Sequence, residues 1–241
     1  MWAIIRKEWV QFFAGWMGFI TIAVYLLASG MLLFFYPDEN LFDAGYASLD
    51  SFFDFSPLLL LILVPAATMR SFSDEYKMGT FELLQSLPIR HRSLVIGKFF
   101  SVVLISLIAL IGTLVYVYTL QYFSLNGLDV GGIIGSYIGL LMLILVYASI
   151  GIYISSLLAN ALTSFMLTAF CCFVFYYFFS FFPDVYMAGQ NIGYYISLVG
   201  VKYHFENISK GYLAISDLIY FITVAGFFIY QTIVHLNMRN H

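Results

Sequence analysis

Few residues in this chain could do chemistry, and their spacing does not favour it. The four histidines, His91, His204, His235 and His241, are scattered without partners at metal-ligand spacing. His204 and Glu206 alternate in an apolar stretch and read as polar groups at an interface. Gly97-Lys98 comes nearest to a phosphate-binding loop. Phe99 stands where that loop needs Ser or Thr, and Arg92 where it needs its first glycine. ATP hydrolysis, if it drives this protein, belongs to another chain. Cys171 and Cys172 are adjacent in an apolar run. Helical neighbours point about 100° apart, so the two cysteines read as small apolar fillers rather than a disulfide or a metal pair.

Hydrolysis inside a membrane needs a nucleophile with a positioned base. Ion-coupled transport normally needs intramembrane carboxylates or other ionisable relays. The long apolar stretches hold serines and threonines but no charged residue. Both activities are disfavoured by what is missing.

Those stretches dominate the chain. Of 241 residues, 62% are hydrophobic, 20% aromatic and 10% charged, with a net charge of −3 and a mean hydropathy of +0.94. A soluble domain is about 45–50% apolar and about 25% charged. The composition excludes an ordinary soluble enzyme, a disordered chain and a nucleic-acid binder, the last also for want of a basic patch. An all-α polytopic membrane protein remains, read as a single domain over residues 1–241.

Charges punctuate the spans. A bilayer core of about 30 Å takes about 20 helical residues. The uncharged or apolar stretches give spans near Gly15–Phe35, Phe55–Met69 (longer if Phe52 and Phe53 join it) and Phe99–Tyr122. From Asp129 to Asp184 there is no charge, and the polar break from Ser155-Ser156 through Asn160 to Ser164 divides the stretch into Gly132–Leu157 and Leu162–Phe182. A sixth span covers Leu218–His235. Six spans put both termini on one side. Arg6, Lys7, Arg70, Lys77, Arg90, Arg92, Lys98 and Arg239 share that side, against Lys202 and Lys210 opposite, which makes it the cytoplasm. Span one is too long for the apolar region of a cleavable signal and is expected to act as an uncleaved anchor. Gly131, Gly135 and Gly139 recur at four-residue spacing and invite a close helix, from this chain or from a second subunit.

Three segments are not spans. On a helical wheel over Trp2–Phe13, Trp2, Ile5, Trp9, Phe12 and Trp16 share one face, with Lys7, Glu8 and Gln11 opposite. This predicts a helix lying in the membrane interface. Arg70–Lys98 holds eight of the 23 formally charged residues and reads as a water-facing unit. Ser71 or Ser73 can start a helix there, with Asp74 and Glu75 at the positive end of its dipole. Gly79 interrupts it, Thr80 restarts it, Phe81, Leu84 and Leu87 give it an apolar side, and Pro88 ends it. An exposed apolar side wants a partner. Finally, Ile192–Val201 is too short to span, and Phe205, Ile208, Tyr212 and Ile215 follow at helical spacing. Two short helices re-entering the outer leaflet are expected. Asn207-Ile208-Ser209 matches a glycosylation sequon, a short pattern common by chance.

The cytoplasmic segment carries a resemblance. Ser73–Ile89 reads SDEYKMGTFELLQSLPI, with Gly97-Lys98 seven residues later. This resembles the loop after span two of ABC-2-type export permeases, where a helix carries a "GT-x-E-x-L…P" pattern followed by "GK". Gly79, Thr80, Glu82, Leu84 and Pro88 match it. The RKEW stretch, Arg6–Trp9, resembles the family's interfacial helix. The stretch HFENISKGYLAISDLIYF, which includes His204, Phe205, Glu206 and Gly211, resembles its outer helices. The motifs run in order over nearly the whole chain. Within the family the chain is most similar to the gliding-motility-associated permease subunit, although copper-processing and multidrug-type permeases share the motifs.

The resemblance implies a non-catalytic permease subunit of an ATP-driven exporter in a bacterial inner membrane. Asp74–Leu87 would be its coupling helix, seated in a groove on a cytoplasmic ABC ATPase. Asp74, Glu75, Lys77 and Glu82 would make polar contacts there, and Phe81 and Leu84 would fill apolar pockets. ATP and Mg would be bound by that ATPase and none by this chain. A second permease subunit, related or identical, and membrane lipid would be the other partners. Two alternatives keep the same spans: a structural subunit that passes ATPase motion to an envelope machine, and an ATP-independent channel. No residue is assigned to substrate.

Overall fold

The computed structural model describes residues 2–35, 49–82, 90–123, 129–181, 186–187, 190–191, 197–212 and 214–238. Its helices are α1 (Trp2–Ala14), α2 (Trp16–Phe35), α3 (Asp50–Thr68), α4 (Ser73–Lys77), α5 (His91–Phe123), α6 (Val130–Leu157), α7 (Ala161–Tyr177), α8 (Val201–Ser209) and α9 (Ile215–Met238). A 3₁₀ turn at Phe178–Phe181 extends α7. Among the described residues, a two-residue antiparallel pair, β1 (Tyr186–Met187) with β2 (Gln190–Asn191), is the one departure from helices and turns. Among the described residues six helices are long and apolar enough to cross a membrane, in the order expected.

The chain packs around α6, which contacts α3, α5, α7, α8 and α9. A helix apolar on all sides belongs inside a bundle, and Leu140, Leu143, Ile144, Val146, Tyr147 and Ile152 are fully buried. α3 is buried along most of its length, with Leu60 and Val64 completely covered. By contrast α2, α7 and α9 turn large apolar side chains outward, among them Leu27, Phe170 and Ile222. The second half of α5 does the same at Ile111, Val115 and Tyr118, so these faces are left uncovered by the chain itself.

Several polar side chains inside the bundle bond to their own helix. Thr113 and Ser149 donate to carbonyls three residues back, as hydroxyls in apolar helices do. Others cross between helices. Tyr116 of α5 donates to the Leu26 carbonyl of α2 at 2.7 Å and lies 3.0 Å from the Ser29 hydroxyl. Such bonds fix helix rotation where apolar contact alone would not.

Two helix starts are set by side chains the sequence supplies nearby. Asp129 accepts from the Gly132 N–H at 3.2 Å to begin α6. Asn160 accepts from the Leu162 N–H at 2.9 Å to begin α7, so the predicted polar break is the corner between spans.

The glycine stripe is filled from within. The short outer helix α8 lies on it. A Cβ on Gly135 would sit 2.5 Å from the Ile208 carbonyl oxygen, and one on Gly139 would sit 3.1 Å from the Phe205 ring. Ser136, between them, donates to the Ser209 carbonyl at 3.2 Å. Of the two expected outer helices, residues 192–196 of the first lie outside the described residues, and residues 198–200 form a turn leading into α8. The second is present but shorter than the apolar spacing predicts. It ends at Ser209, and Gly211 turns the chain with φ of 85°. Phe205 and Ile208 are therefore buried, while Tyr212 and Ile215 lie exposed beyond it.

The helices also reach further than the charge-free stretches. α5 begins at His91 and α9 at Ile215, so Lys98 and Asp217 lie inside spanning helices near their ends, and both are buried. The expectation of spans without ionisable residues holds for the middles of the helices only.

Candidate functional site

At the end of the bundle where α1, α4 and the start of α5 meet, charged residues are packed together rather than spread in solvent. Lys98 is fully buried. Its Nζ donates to Glu8 Oε1 of α1 at 2.7 Å, to Glu75 Oε1 of α4 at 2.9 Å and to the Ser71 carbonyl. It also lies 4.8 Å from the centre of the Phe72 ring, a favourable cation–π position. Lys7 adds a bond to the same Glu75 oxygen at 2.9 Å. Two lysines and two glutamates balance in charge, which is the condition for burying Lys98 and Glu75, while Lys7 stays half-exposed.

Helix α4 is held by a residue far away in sequence. Phe72 and Ser73 present their N–H groups to the Ser155 hydroxyl at 3.0 and 3.3 Å. The expected local caps, Ser71 or Ser73, do not cap it. Ser155 was legible only as part of a polar break. Its second role depends on α6 running beneath α4. The C-terminal end is local. Met78 N–H bonds to the Asp74 carbonyl at 2.9 Å, Gly79 takes φ of 66°, and the Thr80 hydroxyl reaches the Glu75 carbonyl at 3.4 Å. A left-handed glycine after a helix end is the usual stop signal.

The residues predicted from the sequence therefore divide. Lys77, Met78, Gly79 and Glu82, from the end of α4 onward, are exposed. Asp74 is partly covered, 3.9 Å from Arg70. Glu75 and Phe81 correct the expectation of an outward-facing row. Glu75 is 4% exposed and belongs to the charge cluster. Phe81 is buried, its ring 4.8 Å from that of Tyr76 and 6.4 Å from that of Phe72. It anchors the chain after Gly79 to the bundle. Leu84, Leu87 and Pro88 lie outside the described residues.

Helix α1 shows a similar division. Trp2 and Arg6 are exposed, Trp9 and Phe12 half-buried, and Ile5 buried. The polar face was expected to point to water. Glu8 instead turns inward to Lys98 of α5, whereas Lys7 stays half-exposed while it bonds to Glu75 of α4. Trp16, expected on the α1 face, belongs to α2.

At the opposite end His204 is a tight polar contact rather than a loose interfacial group. Its Nδ1 lies 2.6 Å from Asp217 Oδ1 and its Nε2 lies 2.9 Å from the Leu198 carbonyl. The Tyr220 ring stacks on it at 4.0 Å. The contact staples α8 to the first turn of α9. Glu206 stays at the surface, 3.5 Å from Lys202. Among the described residues no cluster of His, Cys, Asp or Glu could hold a metal ion.

Six spanning helices and a short helix mounted on buried charge at one end define a class: polytopic helical membrane subunits. The chain belongs to the ABC-2 family of transporter proteins, whose family model matches residues 2–229. Members are non-catalytic membrane permease subunits of ABC exporters, and a cytoplasmic ABC ATPase is a separate subunit. A comparison with curated proteins found no match.

Proposed function

We propose that this permease subunit receives the ATPase on the edge formed by Lys77, Met78, Gly79 and Glu82, with Asp74 beside it. One observation carries the reading. This edge is exposed, yet the helix behind it is fixed by Ser155 and by the Glu75–Lys98 pair. A docking element must offer side chains to a partner without giving way when pushed. ATP and Mg are bound by the ATPase. The exposed edge and both termini face the cytoplasm of a bacterial inner membrane, following the distribution of Lys and Arg. Closure of two ATPases displaces the edge, spans one and two tilt, and a path opens between this chain and a second permease subunit. The exposed apolar faces of α2, α7 and α9 are available for that subunit and for lipid. The gliding-motility-associated type is the subfamily we assign.

The test is Glu82→Arg, made in the exposed edge so that folding is spared. The variant is expected to reach the membrane in normal amount but to lose the co-purifying ATPase, or its stimulation by the permease. Normal co-purification with normal stimulation would count against the site.

A further inference from the structure

We propose that Lys98 is a positioning residue that joins the interfacial helix, the ATPase-facing edge and span three into one block, so that force on the edge moves all three together. The inference rests on the coupling reading above. An ammonium group has three N–H donors and no acceptor. Here they serve three acceptors: Glu8 on α1, Glu75 on α4 and the Ser71 carbonyl in the turn that joins α3 to α4. The lysine itself is rooted in α5, with Val95 and Val102 buried on either side along the helix. Lys7 closes the arrangement by bonding from α1 to the same Glu75 oxygen.

Sliding one of these segments past the others would separate a buried charge from its counter-charge. That is among the costliest local changes a protein can make. The segments are thus held against moving singly. Arginine would not substitute. Its planar fork suits two parallel acceptors, whereas the acceptors here approach from three segments.

The test separates linkage from folding. The primary variant is Lys98→Met. A second, Lys7→Ala with Glu8→Ala, removes the ionic links of α1, which otherwise touches α5 and α2, but leaves the neutral Lys98–Glu75 pair, so it keeps the fold testable if the first does not insert. Spin labels replace Arg6 and Met78, both exposed, in the full chain in lipid nanodiscs without ATPase. The intact cluster is expected to give a narrow distance distribution and either variant a broad one. In unlabelled complexes, ATPase turnover at saturating ATP is expected to fall about tenfold in the variants, a common size for coupling between sites. The KM for ATP and the amount of ATPase bound should stay unchanged. A narrow distribution in the double variant would overturn the proposal, and so would full turnover despite a broad one. Failure of the unmodified chain to bind ATPase would instead sink the docking reading, while the nanodisc distances would still decide the linkage.

Discussion

Glu75 shows how far a residue's role depends on what the fold brings to it. In sequence it is one acid among several at a helix start. In the structure it receives Lys7 and Lys98 on one oxygen. Removing one member of a buried ion pair strands its partner, at a cost of about 3–5 kcal/mol. Glu75→Ala is therefore expected to lower the thermal unfolding midpoint in detergent far more than Asp74→Ala, because Asp74 is only 3.9 Å from an exposed arginine. Equal effects would mean that the cluster is solvated. The same scale explains why the expected outward row divides. Acids and aromatics that alternate along this segment cannot all face one way: Glu75 turns in to Lys98, and Phe81 to Tyr76 and Phe72.

At the scale of elements, α4 is too short to hold itself. A helix of five residues cannot recover the cost of nucleation from its own hydrogen bonds. Ser155 supplies what is missing. Ser155→Ala leaves the Phe72 and Ser73 N–H groups without that acceptor, at about 1–3 kcal/mol. Hydrogen exchange should speed up in residues 72–78 with little change in α6. Unchanged exchange would show that water replaces the hydroxyl. The contact of α8 with α6 gives a second element-scale prediction. Gly135→Ala pushes a methyl group against the Ile208 backbone and should destabilise the protein. Gly226→Ala, in a position with open space, should be neutral or stabilising by up to about 1 kcal/mol through helix propensity. Thermal unfolding of the pair checks this, and equal tolerance of both would place α8 elsewhere.

Across the whole molecule, three spanning helices separate Lys77 from Lys210: α5, α6 and α7. An odd number of crossings puts the two lysines on opposite sides. With single cysteines at these exposed positions, a membrane-impermeant thiol reagent should label Lys210→Cys in intact cells. Lys77→Cys should react only after permeabilisation. The native Cys171 and Cys172 sit within α7 and should stay silent. Labelling of both positions from one side would require a different number of crossings. The reverse labelling would keep the fold and invert its orientation.

The sequence alone determined the membrane class, the number and order of the spans and the place of the corner at Asn160. Each follows from hydropathy, chain length and local capping, which act over one or two dozen residues. It also marked out residues 73–88 as a segment apart, because charge and glycine interrupt the apolar pattern there. What only the tertiary structure decided are the pairings between distant segments. Ser155 caps a helix more than 80 residues away, Lys98 and Glu8 meet across 90 residues, and the glycine stripe is occupied by α8 rather than by a second chain. A lone lysine beside a glycine carries no sign of being buried. That depends on whether opposite charges arrive from other helices, and only the packing of α1, α4 and α5 brings them.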